Sequence, residues 1–309
     1  TKYYLTPTGM ILKTIFPLLF KIQKITYKKE KEIIITKEGQ IKLDKNNIKG
    51  EKRIRILNYL SSKENYINIK NIKSVAYPYH NSIKTLIRDK YVKIIEFDKS
   101  YNPLKNLVLD NNFFDIVLSK KQEKIYKKIT KNNDFLVHMI HGVTGSGKTA
   151  IYLKLVYDSI NKKKNVLILI PEITLTPHIA KEFKRYFGDT VGIWNSSMTS
   201  LEKQWTWNKI EKNKINIIIG TRSSICLPIK NLGLIIVDEE HDASYKQTEK
   251  MPTYNARDLA IIRSKFLNIP IILGSATPSL ESYYNAQSNK YILHELRERY
   301  GNANYPEIK

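Results

Sequence analysis

Gly142-Val143-Thr144-Gly145-Ser146-Gly147-Lys148-Thr149 is the stretch that decides the fold. It satisfies G-x-x-x-x-G-K-[S/T] at every position. Its flanks agree: residues 135–140 form a short apolar run of strand type, and 150–160 carry a helical pattern. Strand, glycine-rich loop and helix together curl backbone N–H groups, and the positive end of a helix dipole, around an anion. A chance glycine-rich turn would not bring all three. The eight residues are the expected nucleotide-binding set, with Lys148 reaching the β- and γ-phosphates of ATP and Thr149 offering its hydroxyl to Mg²⁺.

Working outward, apolar runs recur at 166–170, 215–219, 234–237 and 271–273. They are continuous rather than alternating, as in parallel strands covered on both faces. Amphipathic helical patterns lie between them, so the expected fold class is α/β, a doubly wound parallel sheet. The run at 234–237 leads into Asp238-Glu239-Glu240-His241. Acids there stand at the carboxyl edge of the sheet, where ligands of open α/β folds bind. Asp238 is placed to hold Mg²⁺ and Glu239 to polarise an attacking water, which with Lys148 makes the expected catalytic set. Acids after a strand are also common helix caps; the loop upstream favours the catalytic reading.

Three more segments sit at strand ends: residues 171–177, Gly220-Thr221-Arg222-Ser223-Ser224, and Gly274-Ser275-Ala276-Thr277-Pro278-Ser279. Singly, each reads as readily as a turn or an N-cap. Their joint order after a phosphate loop and around an acidic box is that of superfamily 2 helicases. Ser275 and Thr277 are then expected to hydrogen-bond the box through Glu240 and His241 and relay nucleotide state. Thr221 and Arg222 become candidates for DNA contact.

Upstream, residues 32–36 read as a strand turning at Gly39, and from 51 to 97 three short helical patterns precede a β-leaning run at 91–97. That sequence of elements suggests a small winged-helix domain, with residues 80–90 as the recognition helix and Lys84 and Arg88 suited to phosphates. The expected division is 1–50 as the end of a preceding domain, 51–97 winged helix, 98–117 linker and 118–309 the ATP-binding domain. The 309 residues carry 52 Lys and Arg against 29 Asp and Glu, a net charge of +23. Such a field attracts polyanions, nucleic acid above all, although a bias toward Lys, Ile and Asn would raise it without any ligand. One cysteine, Cys226, excludes internal disulfides and a cysteine-rich zinc site within the chain. The apolar stretch 10–20 is broken by Lys13 and Pro17 and is too short to span a bilayer, so no membrane partner is expected and the location is cytoplasmic. The chain starts without Met and stops soon after a mid-protein motif, which suggests a fragment.

The run 220–247, with Asn231-Leu232-Gly233 before the acidic box and Asp242-Ala243-Ser244-Tyr245-Lys246-Gln247 after it, closely resembles the PriA family of bacterial replication-restart helicases (primosomal protein N′). Residues 171–177 and 254–260 share the likeness, which is strong over 118–309; residues 51–97 match the family's winged helix in kind and place, and 3–7 resemble the end of the segment before it. The resemblance implies a RecA-like P-loop helicase domain, the first half of a 3′→5′ ATP-dependent DNA helicase. Its implied substrates are stalled forks and single-stranded DNA, and its implied partners are the primosome and single-strand-binding proteins. Gln122 falls where related helicases read adenine, although a surface Gln on an amphipathic helix fits as well. Residues 244–257 resemble an aromatic-rich loop that couples DNA contact to hydrolysis, which makes Tyr245, Lys246, Tyr254 and Arg257 DNA-contact candidates, the tyrosines as stacking platforms. Thr253 and Asn255 depart from the family, which usually has a basic residue and a His there. The family's N-terminal domain, its second motor domain with an arginine finger, and its zinc insertion are not among the 309 residues, so zinc is expected only beyond them. Another superfamily 2 translocase, or a silent nucleotide-binding remnant, also fits these residues.

Overall fold

The computed structural model describes residues 7–15, 29–63, 65–98, 101–104, 116–171, 177–248 and 251–298. Residues 3–6, 172–176 and 249–250, and most of the expected linker, lie outside this set. The chain divides into two compact units, Lys24–Ser100 and a larger one comprising Thr1–Gln23 and Tyr101–Lys309. Among the described residues no helix is long and apolar enough to cross a membrane. The first helix, α1 (Thr8–Ile15), belongs to the larger unit.

The smaller unit is built on β1 (Lys29–Ile35), β2 (Ile67–Asn68) and β3 (Val92–Asp98), an antiparallel sheet in the order β2-β1-β3. Helices α2 (Lys37–Asp44), α3 (Glu51–Ser61) and α4 (His80–Arg88) accompany it, and Ile33, Ile56, Leu57, Leu60, Ile83 and Leu86 form its core. The division expected at residue 51 runs through this unit, because β1 pairs with β3 along its full length, Lys29 opposite Asp98 and Ile35 opposite Val92. A pairing across sixty residues leaves no local pattern to announce it. Gly39 does not turn the strand, as expected, but lies inside α2. Thr36 caps that helix, its Oγ1 accepting from the Gly39 N–H at 3.0 Å. A Cβ at Gly39 would come within 2.2 Å of the Tyr91 carbonyl oxygen, so the glycine serves close packing.

In the larger unit the order is α5 (Lys120–Thr130), β4 (Val137–Gly142), α6 (Lys148–Asn161), β5 (Asn165–Leu169), α7 (Pro177–Phe187), β6 (Val191–Trp194), α8 (Ser200–Glu211), β7 (Ile217–Gly220) and β8 (Leu232–Val237). A two-stranded hairpin of β9 (Lys246–Gln247) and β10 (Tyr254–Asn255) follows, then α9 (Ala256–Leu267), β11 (Ile271–Ser275), α10 (Leu280–Gln287) and β12 (Ile292–Leu296). Seven strands form one parallel sheet in the order β12-β4-β11-β8-β5-β7-β6. Side chains alternate across it. Ile168, Ile236 and Ile272 pack on one face with Ile125 of α5, Ile151 of α6 and Phe183 of α7. Leu167, Ile235 and Ile271 pack on the other with Ile210 of α8 and Ala260 of α9. Each such aliphatic side chain contributes about 1.5–3 kcal/mol over an exposed one, which explains the continuous apolar runs.

β6 and β12 were not expected from the sequence. Both are edge strands with mixed patterns, Val-Gly-Ile-Trp and Ile-Leu-His-Glu-Leu, and an edge needs less apolar cover. The order matters for chemistry because β11 alone separates β4 from β8. The phosphate loop and the acidic box thus leave the sheet on the same edge, two strand spacings or about 10 Å apart.

Candidate functional site

β4 ends at Gly142 and α6 begins at Lys148, so the loop spans the gap in five residues. Gly145 and Gly147 take φ of +79° and +80°, a region costly for any residue with a Cβ. Gly147 is the N-cap of α6 and gives no side-chain cap, which leaves the helix's first N–H groups to a ligand. The Lys148 side chain is only 10% exposed; its Nζ donates to the Gly142 carbonyl at 2.9 Å and stands 3.6 Å from Glu239 Oε1. Ser146 Oγ is buried without a partner, although a Cβ at Gly142 would lie 2.6 Å from it. An orphaned hydroxyl, an ammonium and an uncapped helix start, converging on one loop, fit a polyphosphate. The half-buried Thr149 occupies the second position of α6.

Gln122 is 1% exposed and not a surface residue. Its Oε1 accepts from the Ser119 N–H at 2.8 Å in a capping box, and its Nε2 donates to the carbonyls of Ser146 and Gly147 at 3.1 and 3.3 Å. It therefore ties α5 to the back of the loop.

β8 delivers Asp238 and Glu239 opposite that loop. The Asp238 N–H donates to the Leu169 carbonyl at 2.9 Å, and its Oδ1 accepts from the Tyr152 hydroxyl at 3.0 Å. Tyr152, buried one turn along α6 from Lys148, was missed in the sequence. The role of Gly274, singled out only as part of its segment, was not foreseen: a Cβ there would lie 1.7 Å from the Tyr152 oxygen and 3.2 Å from Asp238 Oδ1. Only glycine lets that hydroxyl reach the carboxylate. Burial, and then the neighbouring Glu239 charge, raise the Asp238 carboxyl above its ordinary pKa, while the Tyr152 hydrogen bond and Lys148 oppose the rise. A divalent cation would relieve the same crowding, and the Asp238 carboxylate and Thr149 hydroxyl are hard-oxygen donors of the kind Mg²⁺ prefers. Glu239 sits at φ +44°, in the left-handed region, with its side chain about one-third exposed. That strain turns its carboxylate toward Lys148 and His241, 3.7 Å away at Nδ1.

Of the expected coupling residues, His241 meets Ser275 and Thr277, whereas Glu240 bonds neither of them. His241 Nδ1 is 2.8 Å from Ser275 Oγ and its Nε2 is 3.3 Å from Thr277 Oγ1, while Ser275 Oγ also accepts from the Thr277 N–H at 3.0 Å. Glu240 is fully buried. Its carboxylate accepts from Arg257 Nη1 at 3.0 Å, Ser279 N–H at 2.8 Å and Ser282 hydroxyl at 2.8 Å, and its own N–H donates to the Gly274 carbonyl at 3.0 Å. Ser282, in the first turn of α10, was missed, as was the bonding of the cap Ser279 to Glu240; the Ser-x-x-Ser spacing ahead of a helix is the signal that would have found them.

The expected DNA contacts fare differently. Tyr245 is 1% exposed and its hydroxyl donates to the Asp238 carbonyl at 2.6 Å. Tyr254 lies in the same core cluster, where burial pushes its hydroxyl up to about 12. Neither ring offers a face on which a base could stack. Arg257 is held by Glu240, by Ser279 at 2.9 Å and by Asp258 at 2.9 Å, and is 13% exposed. Thr221 is buried, and Arg222 donates to the carbonyls of Ser244 and Lys246 at 3.2 and 2.9 Å. Of this group only Lys246 is exposed; in the smaller unit Lys84 and Arg88 are exposed on α4, Arg88 paired with Asp89. Asn255, where the resembling family has a His, caps α9 by accepting from the Arg257 N–H at 2.9 Å.

A buried lysine and an open helix start, facing two carboxylates across one strand of a parallel sheet, define a P-loop nucleotide-binding domain with RecA-like layout. The DEAD/DEAH box helicase family matches residues 119–286, and the chain belongs to that family. It is similar to the replication restart protein PriA of Chlamydia pneumoniae, 45% identical over 186 residues, 60% of this chain and 25% of that protein. It is also similar to PriA of Rickettsia prowazekii, 44% identical over 220 residues, 71% of this chain and 34% of that protein. The chain thus spans a quarter to a third of the length of these relatives, and the likeness to the PriA family read from the sequence is borne out. Among solved structures, the Pyrococcus furiosus Hef helicase domain is similar at a TM-score of 0.41 and 21% identity, over 58% of this chain and 38% of that one.

Proposed function

We propose that the chain is the first motor domain, with its preceding winged-helix unit, of an ATP-dependent 3′→5′ DNA helicase that acts on stalled replication forks in the cytoplasm. The observation that carries the reading is the succession of close polar side chains from Lys148 past Glu239, at 3.6 Å, and His241, at 3.7 Å, to Ser275 and Thr277. It joins the nucleotide loop to the segment expected to report nucleotide state. ATP and Mg²⁺, when bound, supply the phosphoanhydride and neutralise its charge. Lys148 and the α6 N-terminus bind the phosphates, Ser146 donates its free hydroxyl, and Thr149 and Asp238 hold the metal. Glu239 orients a water and takes its proton, and Gln122, its amide committed to Ser119 and to the loop carbonyls, fixes the loop's position rather than reading adenine. Direction, fork preference and assembly with primosome and single-strand-binding proteins are supported by the similarity to PriA. Lys84 and Arg88, exposed on α4, support a DNA-facing role for the smaller unit.

The test is hydrolysis by the full-length protein with single-stranded DNA, duplex, forks and RNA, together with strand displacement on substrates of either polarity. Stimulation by forks and 3′→5′ displacement are expected. Preference for RNA, or displacement of the opposite polarity, would overturn the reading, and Glu239→Gln should bind Mg·ATP while losing hydrolysis.

A further inference from the structure

A dense run of lysines lies on α5, away from the acidic box. Five of its eleven residues are lysine, against 52 Lys and Arg in 309 for the whole chain, so general lysine richness does not account for it. With Lys131 at the helix end, six lysines stand within three turns, all exposed. Lys127 is paired with Glu123 at 2.7 Å and Lys121 with Glu298. Lys120, Lys124, Lys128 and Lys131 have no ion-pair or hydrogen-bond partner among the described residues.

Folding gains nothing from this pattern. Like charges three and four residues apart repel, and Lys120 and Lys121 sit in the first turn, where the helix dipole disfavours a cation. The helix is held instead by its other face, Ile125 and Ile129 in the core and Gln122 against the phosphate loop. The unpaired lysines leave a row about 16 Å long, enough to meet about two or three successive phosphates of one strand of B-form DNA before the strand winds away. No aromatic ring shares the row: Tyr126, the one ring on α5, is half-buried and bonded through its hydroxyl to Asp158. Single strands are bound by stacking bases on rings as well as by charge, whereas duplex DNA hides its bases and offers phosphates. Lysines are point charges without the planar fork that reads base edges.

We propose that the α5 lysine row is a sequence-independent docking surface for the phosphate backbone of duplex DNA, separate from the nucleotide site. The proposal rests on the reading of the protein as a DNA motor and adds where a duplex arm lies.

The test replaces Lys120, Lys124, Lys128 and Lys131 with Gln, which keeps helix propensity and leaves the Lys127 pair in place. A control replaces four exposed lysines elsewhere in the larger unit, Lys181, Lys212, Lys214 and Lys265. Affinity of the chain for a random-sequence duplex and for a single strand is measured across salt concentrations, and Mg·ATP affinity is measured alongside. Each lost phosphate contact flattens the slope of log K against log salt by about 0.9, so the row variant should flatten the duplex slope by about 2–3. The control should change it by less than 1, and nucleotide affinity should stay unchanged. An equal change in row and control variants would overturn the proposal, as would a change confined to the single strand. A wild-type chain that binds Mg·ATP but no duplex overturns it while leaving the motor reading intact; failure to bind Mg·ATP counts against the motor reading instead.

Discussion

The two loops that leave the carboxyl edge of the sheet treat their polar groups in opposite ways. After β4, the phosphate loop keeps a buried hydroxyl without a partner, an uncapped helix start and an ammonium resting on a carbonyl. After β8, the segment from Glu240 to Arg257 closes nearly everything. Glu240 collects donors from α9 and from the start of α10, Tyr245 bonds back to Asp238, and Arg257 spends its guanidinium on Glu240, Ser279 and Asp258. The first region is open to a ligand. The second is an internal linkage that fixes where Asp238 and Glu239 stand relative to α9 and α10. Residues of similar chemistry thus serve different ends, according to whether the fold has already satisfied them.

Arg257 breaks or upholds that contrast most sharply. As an internal partner, Arg257→Ala leaves the Glu240 carboxylate buried and unpaired and should destabilise the larger unit by about 3–5 kcal/mol, with Tyr254→Ala similar at about 3–5 kcal/mol for an emptied aromatic site. Thermal melts of the chain read both. An unchanged melting temperature with weakened DNA binding would reopen the segment as a DNA surface.

Acid should probe a second closed site, on the strand that leads into the phosphate loop. His138 and His294 are buried side by side, Nδ1 to Nε2 at 3.0 Å, and burial pushes both down to about 4. Below pH 6.5 the unfolded imidazoles take up protons while the folded ones stay neutral until about 4. Stability should therefore fall across that window, by at most about 1.4 kcal/mol per pH unit for each group. Denaturant unfolding at pH 7, 6 and 5 measures the slope, and His294→Gln should roughly halve it.

At the open loop the expected effect is on binding rather than on folding. Lys148→Ala removes a charged contact to the phosphates of a kind worth about 1.5–3 kcal/mol, hence a roughly 10- to 150-fold loss of Mg·ATP affinity by calorimetry with little change in melting temperature. Equal affinity in both proteins would mean that the loop does not bind phosphate as its geometry suggests.

Tyr152→Phe gives the smallest effect and sharpens the boundary between the two regions. It deletes one hydroxyl and the hydrogen bond to Asp238, worth about 1 kcal/mol. The expected outcome is a severalfold weaker Mg²⁺ dependence of nucleotide binding, with metal-free binding unchanged. Equal losses with and without metal would assign Tyr152 to packing alone.

The residues themselves determined the phosphate loop, the acidic box and the five central strands, because each depends on a local pattern. Glycines at fixed offsets, continuous apolar runs and acids at a strand end carry their meaning within ten residues. Tertiary structure alone decided the rest. It joined β1 to β3 across residue 51, added two edge strands whose mixed composition hides them, and set β11 between the loop and the box. It also brought the Tyr152 hydroxyl to Asp238 through the one position, Gly274, where a missing Cβ leaves room. Above all it decided exposure: Tyr245, Tyr254 and Arg257 read in sequence as a surface for DNA, and the fold turned them inward, since their rings and charge are satisfied by neighbours distant in the chain.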